Sequence, residues 1–443
     1  MLKILGLDIG TTTISAVVTD AETGNILESK TVKNDSIIDS SKLQNPEIII
    51  KTVLEIKNEL TKIQSPISAI GVTGQMHGIL YLDKDGNHVS PLYTWQDESG
   101  NKPYKEGTYA SYLTEKTGHN MASGFGLVTH FVNKEENNIP ENAVTLSTIH
   151  DYLVMKLTGR KTPLMHSSDA ASLGCFDLKK ADFDENALTK IGINRSFLPE
   201  VCNNCIVAGY DENNIPVSVA IGDNQASVLG SVSHENSILV NIGTGSQVSV
   251  ITDTPKVLAD GETRPLNDNK FILVGAPLCG GRSFALLHKF FTQCAEIFCG
   301  NKDDVYKIMD KIAEINPDEH SLTVDTRFCG TRKNPDIKGS VSGITESNFT
   351  PAELTRGFLY GMANELYTLF ESFDITADML ICSGNAVRKS LVLRQYLEEF
   401  FGMELHVPAH TEEASFGAAI FASVASGIYK DTFEAAKQMI HYQ

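Results

Sequence analysis

From residue 2 to residue 33, short apolar and β-branched runs alternate with turn residues: Leu2–Asp8, Gly10–Thr12, Thr13–Asp20, Glu22–Asn25 and Ile26–Val32. This pattern predicts a meander of strands and hairpins. Pro46 opens a helical spacing that runs to about Lys62, and Ile67–Thr73 is an apolar run suited to a buried strand. In Thr148–Thr158 the apolar positions Ile149, Tyr152, Leu153 and Leu157 fall on one helical face, with Gly159 as a stop. A second phase begins near Glu235, where Ile238–Ile242 reads as a buried strand and Gln247–Thr252 as its neighbour. Helices are expected over Ser283–Phe298, Asp303–Ile315, Pro351–Phe373, Val387–Phe401 and Glu413–Gly427, with a strand at Met379–Cys382.

The two phases share a signature. Asp8-Ile9-Gly10-Thr11-Thr12-Thr13 and Asn241-Ile242-Gly243-Thr244-Gly245-Ser246 each join two strand-like runs, about half the chain apart. Duplication of a lobe accounts for this better than coincidence. The expected architecture is α/β with two lobes, 1–234 and 235–443, joined by a structured hinge, because no low-complexity linker separates them. Two lobes and a hinge imply a cleft.

Composition narrows the function. With 443 residues, 42% of them hydrophobic, the chain can bury sizeable cores. Its 37 Lys and Arg against 55 Asp and Glu give a net charge of −18, which disfavours nucleic acid and anionic membranes as partners. An anionic ligand would need a local cradle. No run approaches the roughly 18 apolar residues of a membrane helix, and Met1–Leu7, cut by Asp8, reads as a first strand rather than a leader, so a cytoplasmic protein is expected. The eight cysteines are scattered, and Cys202 with Cys205 form the single CxxC spacing, read as two loop cysteines rather than a metal or redox site.

Glycine lets a backbone approach a phosphate while Thr hydroxyls and successive N–H groups donate to it. The two Gly-Thr tips are therefore candidate phosphate grips, or ordinary hairpin turns if taken singly. Neither GxxxxGK[ST] nor GxGxxG occurs. Asp223, after the apolar run Val217–Ile221 and before small residues, suits a base that takes a hydroxyl proton in phosphoryl transfer, or else a helix N-cap. Gln75 and His77 in Gly74-Gln75-Met76-His77-Gly78 could hydrogen-bond hydroxyls, although His77 could equally be a satisfied core histidine. Trp95, the sole tryptophan, stands two positions from Asp97, a ring and a carboxylate that together suit a sugar, with a core role for the ring as the alternative. Ile381–Ala386 is a strand-to-helix turn with room for a flat base, and Gly275–Gly281 reads as close packing.

Taken together, these segments resemble the FGGY carbohydrate kinases nearly end to end: DIGTTT at 8–13, GQMHG at 74–78, TWQD at 94–97, GDNQAS at 222–227, IGTGSQ at 242–247, GAPLCGG at 275–281 and SGNAVRKS at 383–390. The resemblance implies two actin-like, ribonuclease H-like lobes closing over ATP and a sugar. GQMHG with TWQD is shared by several ketose kinases, xylulose-phosphorylating ones among them. The run Pro163–Ser172 and the modest length are most similar to the sedoheptulose-phosphorylating branch. By that resemblance Asp223 is the base and Asp8 helps hold Mg²⁺. Thr11, Thr12 and Thr13 would face the γ-phosphate, and Gly243, Thr244 and Gly245 the inner phosphates. Gly384 and Asn385 would border adenine, and Gln75, Met76, His77, Trp95 and Asp97 would line the sugar site.

Three departures stand out: Ser15 where many relatives carry Lys or Arg, an adenine loop with Cys382, Ser383 and Asn385 in place of glycines, and Tyr360 where an acid is common. The expected partners are a small sugar and ATP, with a homodimer among the states open to the chain. A sugar sensor without turnover and a chaperone- or actin-type ATPase are the rival readings. The sugar wall argues against the second, and the missing dinucleotide fingerprint argues against a dehydrogenase.

Overall fold

The computed structural model describes all residues except 39–41, 244, 300–303, 316–321, 332, 333 and 335, together with all side chains of the described residues save that of Cys299. The chain folds into two compact units. The first comprises Met1–Ser233, Arg264–Phe271 and Glu412–His441, and the second His234–Thr263, Ile272–Thr411 and Tyr442–Gln443. By packing, the units depart from the expected halves, 1–234 and 235–443, in that two segments from beyond residue 234 pack in the first unit.

In the first unit the predicted meander forms strands Lys3–Ile9, Thr13–Asp20 and Ile26–Lys33. Ala69–Gly74 lies parallel to the first strand, with Asp8 beside Thr73. The expected strand Val217–Ile221 is two short pieces, Pro216–Ser218 and Ile221–Gly222, both parallel to Ala69–Gly74. Helix Pro46–Gln64 is started by Asn45, whose side chain accepts from Glu47 N–H at 2.9 Å, with proline in its first turn. It buries Ile49, Val53, Ile56 and Leu60.

Helix Glu413–Ala425 belongs to this first unit because its surface is small. Side-chain carbons added at Gly6, Gly71 or Gly230 would collide with the backbone of Ser415, Ala418 or Glu413, and one at Gly417 would meet Ala226. Backbone therefore packs on backbone, which larger residues would forbid. The helix running from Asp223 to Ser231 rests directly on this late segment.

The second unit repeats the theme. Strands Ser237–Ile242 and Ser246–Thr252 form a hairpin, and Met379–Ser383 lies parallel to the first of them. Helix Pro351–Glu371 packs on this sheet, and the stretch expected as one helix from Val387 to Phe401 breaks into Asn385–Lys389 and Leu391–Phe401, with Ser390 capping the second. Tyr360 packs at 4.7 Å from Phe400 and 5.3 Å from Tyr396, so its role in this chain is a ring contact. Among the described residues no helix is long and apolar enough to cross a membrane.

Candidate active site

Three neighbouring strands of the first unit end together. Ile9 is paired with Gly74 and Gly74 with Gly222, so Gln75 and Asp223 leave the sheet side by side at its carboxyl edge, where open α/β sheets present ligand contacts, with Asp8 one pair before that edge, beside Thr73. Asp223 is the first residue of its helix. Gly222 holds the cap position, so the alternative reading of Asp223 as an N-cap fails.

Gly222 has no room for a side chain: a carbon there would stand 2.9 Å from Met76 Sδ and from Gln225 Oε1. Met76, 4% exposed, is therefore packing behind Asp223 rather than an open wall. Its neighbour Gln75 is buried, with its N–H donating to Ile9 O at 2.9 Å. Gln75 Nε2 donates to Gln44 Oε1 at 2.8 Å, and Gln44 in turn donates to Thr11 O at 2.8 Å.

Thr11 links the first tip to the predicted sugar wall. Its hydroxyl donates to Gln75 Oε1 at 3.2 Å and accepts from Trp95 Nε1 at 2.9 Å. Trp95 is 48% exposed, so the core alternative is overturned and an indole face is open. Thr12 and Thr13 are exposed at the tip, which Asn34 braces by donating to Gly10 O and Thr12 O. His77 adopts φ of 71°, stacks on Phe125 at 4.8 Å and contacts Ser172 O through Nδ1 at 2.6 Å. That contact fixes its Nδ1–H tautomer. Asp97 accepts from Ser99 N–H at 3.1 Å and Thr129 Oγ1 at 2.7 Å, which orders the loop after Trp95.

Charge is concentrated around the two aspartates. Burial pushes the Asp8 carboxyl up to about 7, helped by Asp223 and Glu412 and opposed by His150. Asp223 is pushed up to about 6 by burial, with His150 and Arg264 holding it down. Ser15 lies opposite Asp8 on the adjacent strand and contacts Thr31 Oγ1 at 3.0 Å; Thr31 donates to Glu412 Oε1 at 3.4 Å. Ser15 thus sets a hydroxyl opposite Asp8, linked through Thr31 to the acid Glu412. Asp8 Oδ1 is buried with no hydrogen-bond partner. A buried, unpartnered carboxylate oxygen among mutually repelling acids fits a hard divalent cation such as Mg²⁺.

Several residues here escaped sequence reading. His150, Asp151 and Asp169 are wholly buried, with ligand-type atoms within 4.8 Å of one another. The His150 Nε2 to Asp169 Oδ1 distance is 2.9 Å, so the cluster is an ion pair with a second acid. Burial alone would lower His150, yet Asp169 raises it to about 9. Ser168, next to Asp169, accepts from the Gly222 N–H at 3.1 Å. Arg264 donates to Asn224 Oδ1 at 3.1 Å, and Gln225 Nε2 to Pro265 O at 3.0 Å, docking the 264–271 segment on the Asp223 helix. The signal was present: His150 and Asp151 interrupt an apolar helical stretch, and HSSD precedes a run of small residues.

In the second unit Gly243 and Gly245 are exposed at the hairpin tip, with Gly243 N–H donating to Gly245 O at 2.8 Å. Thr244 lies outside the described residues. Asn241 Nδ2 donates to Ser383 Oγ at 2.7 Å, which sets the tip beside the turn at Gly384. Gly384 has φ of 93°, and a side-chain carbon there would strike Ile242 O, so glycine is required. Asn385 is exposed as the first helical residue, whereas Cys382 and Ser383 are buried in the strand. Gly243 and Gly245 on the hairpin and Gly384 with Asn385 at the turn thus lie close together in this unit.

Two family descriptions match the chain. The FGGY family of carbohydrate kinases, N-terminal domain, covers residues 3–230, and its C-terminal domain covers 238–426. The chain is 28% identical to a gluconokinase of Bacillus subtilis over 99% of its own length and 90% of the relative. It is 27% identical to a sedoheptulokinase of Mus musculus, over 94% of the chain and 96% of the relative. Among solved structures, the gluconate kinase of Lactobacillus acidophilus superposes with a TM-score of 0.84 at 21% identity, covering 100% of this chain and 92% of that one. The xylulose kinase of the same organism gives 0.83 at 20%, over 100% of this chain and 93% of that one.

Proposed function

The chain belongs to the FGGY family of carbohydrate kinases, which phosphorylate sugars with ATP, and we propose that its acceptor is the terminal hydroxyl of a ketose, with sedoheptulose the first candidate. The product would be sedoheptulose 7-phosphate, formed in the cytoplasm, where ATP is supplied. The observation that carries the reading is Asp223 at the carboxyl edge of the sheet, beside Gln75 and within the electrostatic reach of Asp8, with its carboxyl pushed up to about 6. Such a group is ionised at neutral pH yet basic enough to take a proton in the transition state.

In this reading the acceptor hydroxyl gives its proton to Asp223 as its oxygen bonds to the γ-phosphorus and the bond to the ADP oxygen breaks. Asp8, with its unpartnered oxygen, would hold the magnesium ion, which supplies charge neutralisation for the phosphates. Thr12 and Thr13 donate to the γ-phosphate. Thr11, engaged with Gln75 and Trp95, positions the sugar wall instead. Gly243 and Gly245 receive the inner phosphates, and Gly384 with Asn385 borders the base. His77, held by Ser172 and Phe125, and Trp95 with Asp97 contact the sugar's hydroxyls and ring or chain.

Charge favours a neutral sugar over a sugar acid. Asp223 and Glu412 both push the Asp8 carboxyl up, and the positive groups that hold Asp223 down are His150 and Arg264, of which His150 is already paired with Asp169. A gluconate carboxylate would meet that acidic field. Similarity to the mouse sedoheptulokinase across nearly both full lengths supports the seven-carbon choice, with xylulose and other five-carbon ketoses the alternative. The test is ADP release with ATP and Mg²⁺ across sedoheptulose, xylulose, ribulose, fructose, gluconate and glycerol. The highest kcat/KM should fall on sedoheptulose. A preference for gluconate would overturn the ketose, and sugar binding without ADP would overturn turnover in favour of a sensor.

A further inference from the structure

One short helix reaches both sides of the acceptor site. Ser167–Leu173 is buried along almost its whole length, and its Ser168 and Ser172 stand one turn apart on the same face. Ser168 meets the start of the Asp223 helix, and Ser172 meets His77.

The Asp223 helix has no side-chain cap of its own, because Gly222 fills the cap position. Its start is held from outside, by the Gly222 N–H donating to Ser168 Oγ at 3.1 Å. That oxygen is itself fixed. The Ser168 N–H donates to His166 Nδ1 at 3.3 Å, so Nδ1 is unprotonated and also accepts the Ser168 hydroxyl, which is 2.9 Å away and nearer to it than to Asp169 Oδ2 at 3.5 Å. Burial keeps this imidazole neutral by pushing it down to about 4. With its proton directed to His166, Ser168 Oγ presents lone pairs to Gly222. His166 in turn stands edge-on to Phe421 of the late helix, with ring centres 5.4 Å apart.

Four residues on, Ser172 Oγ donates to Asp169 O at 2.7 Å and accepts the His77 N–H at 3.1 Å. His77 needs such a hold, since its φ of 71° is one that residues with side chains rarely adopt. Ser167 braces the helix from a third side, donating to Asn203 Oδ1 at 2.6 Å.

We propose that helix Ser167–Leu173 sets the spacing between the base and the sugar wall, with Ser168 a positioning residue for Asp223 and Ser172 one for His77. The inference deepens the reading of Asp223 as the base and His77 as a sugar contact, and rests on it. Proton transfer needs the hydroxyl and its base in register, and a misplacement of about 1 Å can cost about 10²-fold in rate. Two anchors on one rigid turn hold that register.

The test is steady-state kinetics of the full chain with ATP, Mg²⁺ and the sugar of highest kcat/KM. Ser168→Ala should lower kcat by about 10- to 100-fold while both KM values hold. Ser172→Ala should raise the sugar KM by about two- to tenfold with kcat nearly intact and the ATP KM unchanged. Because Ser168 acts through Asp223, adding Ser168→Ala to Asp223→Asn should cost no more than about twofold further. A purely structural role would remove the same factor in both backgrounds, and that result overturns the proposal. A common effect of the two serine variants on kcat and KM alike overturns it too, as does wild-type kcat in Ser168→Ala when Asp223→Asn is slow. Should Asp223→Asn itself turn over at the wild-type rate, the reading of the base fails and the inference falls with it. If Ser168→Ala does not fold, Ser168→Cys, which fills the space with a weak acceptor, goes through the same cycle with the same expected outcome.

Discussion

His150 Nε2 stands 2.9 Å from Asp169 Oδ1, with both side chains entirely buried in the first unit. One charged pair is thereby sealed behind the sheet edge that carries Asp223, and its imidazolium draws the Asp223 carboxyl down against the effect of burial. A buried pair need not stabilise more than an apolar filling would, but losing one partner leaves a charge uncompensated.

Replacing His150 by Gln should therefore cost about 3–5 kcal/mol. Urea unfolding at pH 6 would read this as a lower midpoint with an unchanged slope. A loss under about 1 kcal/mol would mean that Asp169 and Asp151 take up protons and relax without their partner.

The pH dependence has a definite sign. Asp8 and Asp223 rise from 3.8 to about 7 and about 6, and His150 from 6.5 to about 9. A folded-state value above the unfolded one means stability that is fully present below the unfolded value and lost as pH climbs through the folded one. The melting temperature should accordingly fall from pH 5 to pH 9. At pH 8, millimolar Mg²⁺ should recover part of the loss by neutralising Asp8. A flat profile, or one that rises, would contradict the burial of these groups in charged company.

Asp223→Asn should lower kcat by about 10²–10⁴ while changing the ATP KM little, as removal of a general base does. Steady-state ADP release at saturating sugar checks it. Asp8→Asn should instead weaken the response to Mg²⁺, moving the half-saturating concentration upward.

Trp95→Phe keeps the exposed ring and deletes the Nε1 donor to Thr11. Loss of one such bond is worth about 0.5–1.5 kcal/mol, so the sugar KM should rise by about two- to tenfold with kcat nearly intact. A fall in kcat instead would place the Trp95–Thr11–Gln75 chain in the chemical step.

Much of this was legible because it is local. The alternation in residues 2–33 yields strands within about a residue of their expected ends, and the Gly-Thr tips are short sequence words joining adjacent strands. The site's electrostatics were not legible, since they depend on residues far apart in the chain. Nothing near Asp223 in sequence announces His150, Asp169, Arg264 or Glu412. Met76 illustrates the converse: its motif suggested a ligand wall, yet the lack of a side chain at Gly222 draws it inward. The docking of the late helix in the first unit was illegible for the same reason, because Glu413–Ala425 has an ordinary helical pattern whose docking partner is set by glycines some 180 residues or more upstream.

That late helix also sets an order of manufacture. Gly417 closes on Ala226, and Glu413 on Gly230, but roughly 180 residues lie between the early and late parts of the first unit. At about 5–20 residues per second, the ribosome needs on the order of 10–40 s to bridge that gap. Throughout that interval the glycine-lined face of the nascent sheet lacks its cover and is open to chaperones or to wrong partners. The shelf on which Asp223 stands is begun early in translation and completed only when residues 412–425 emerge.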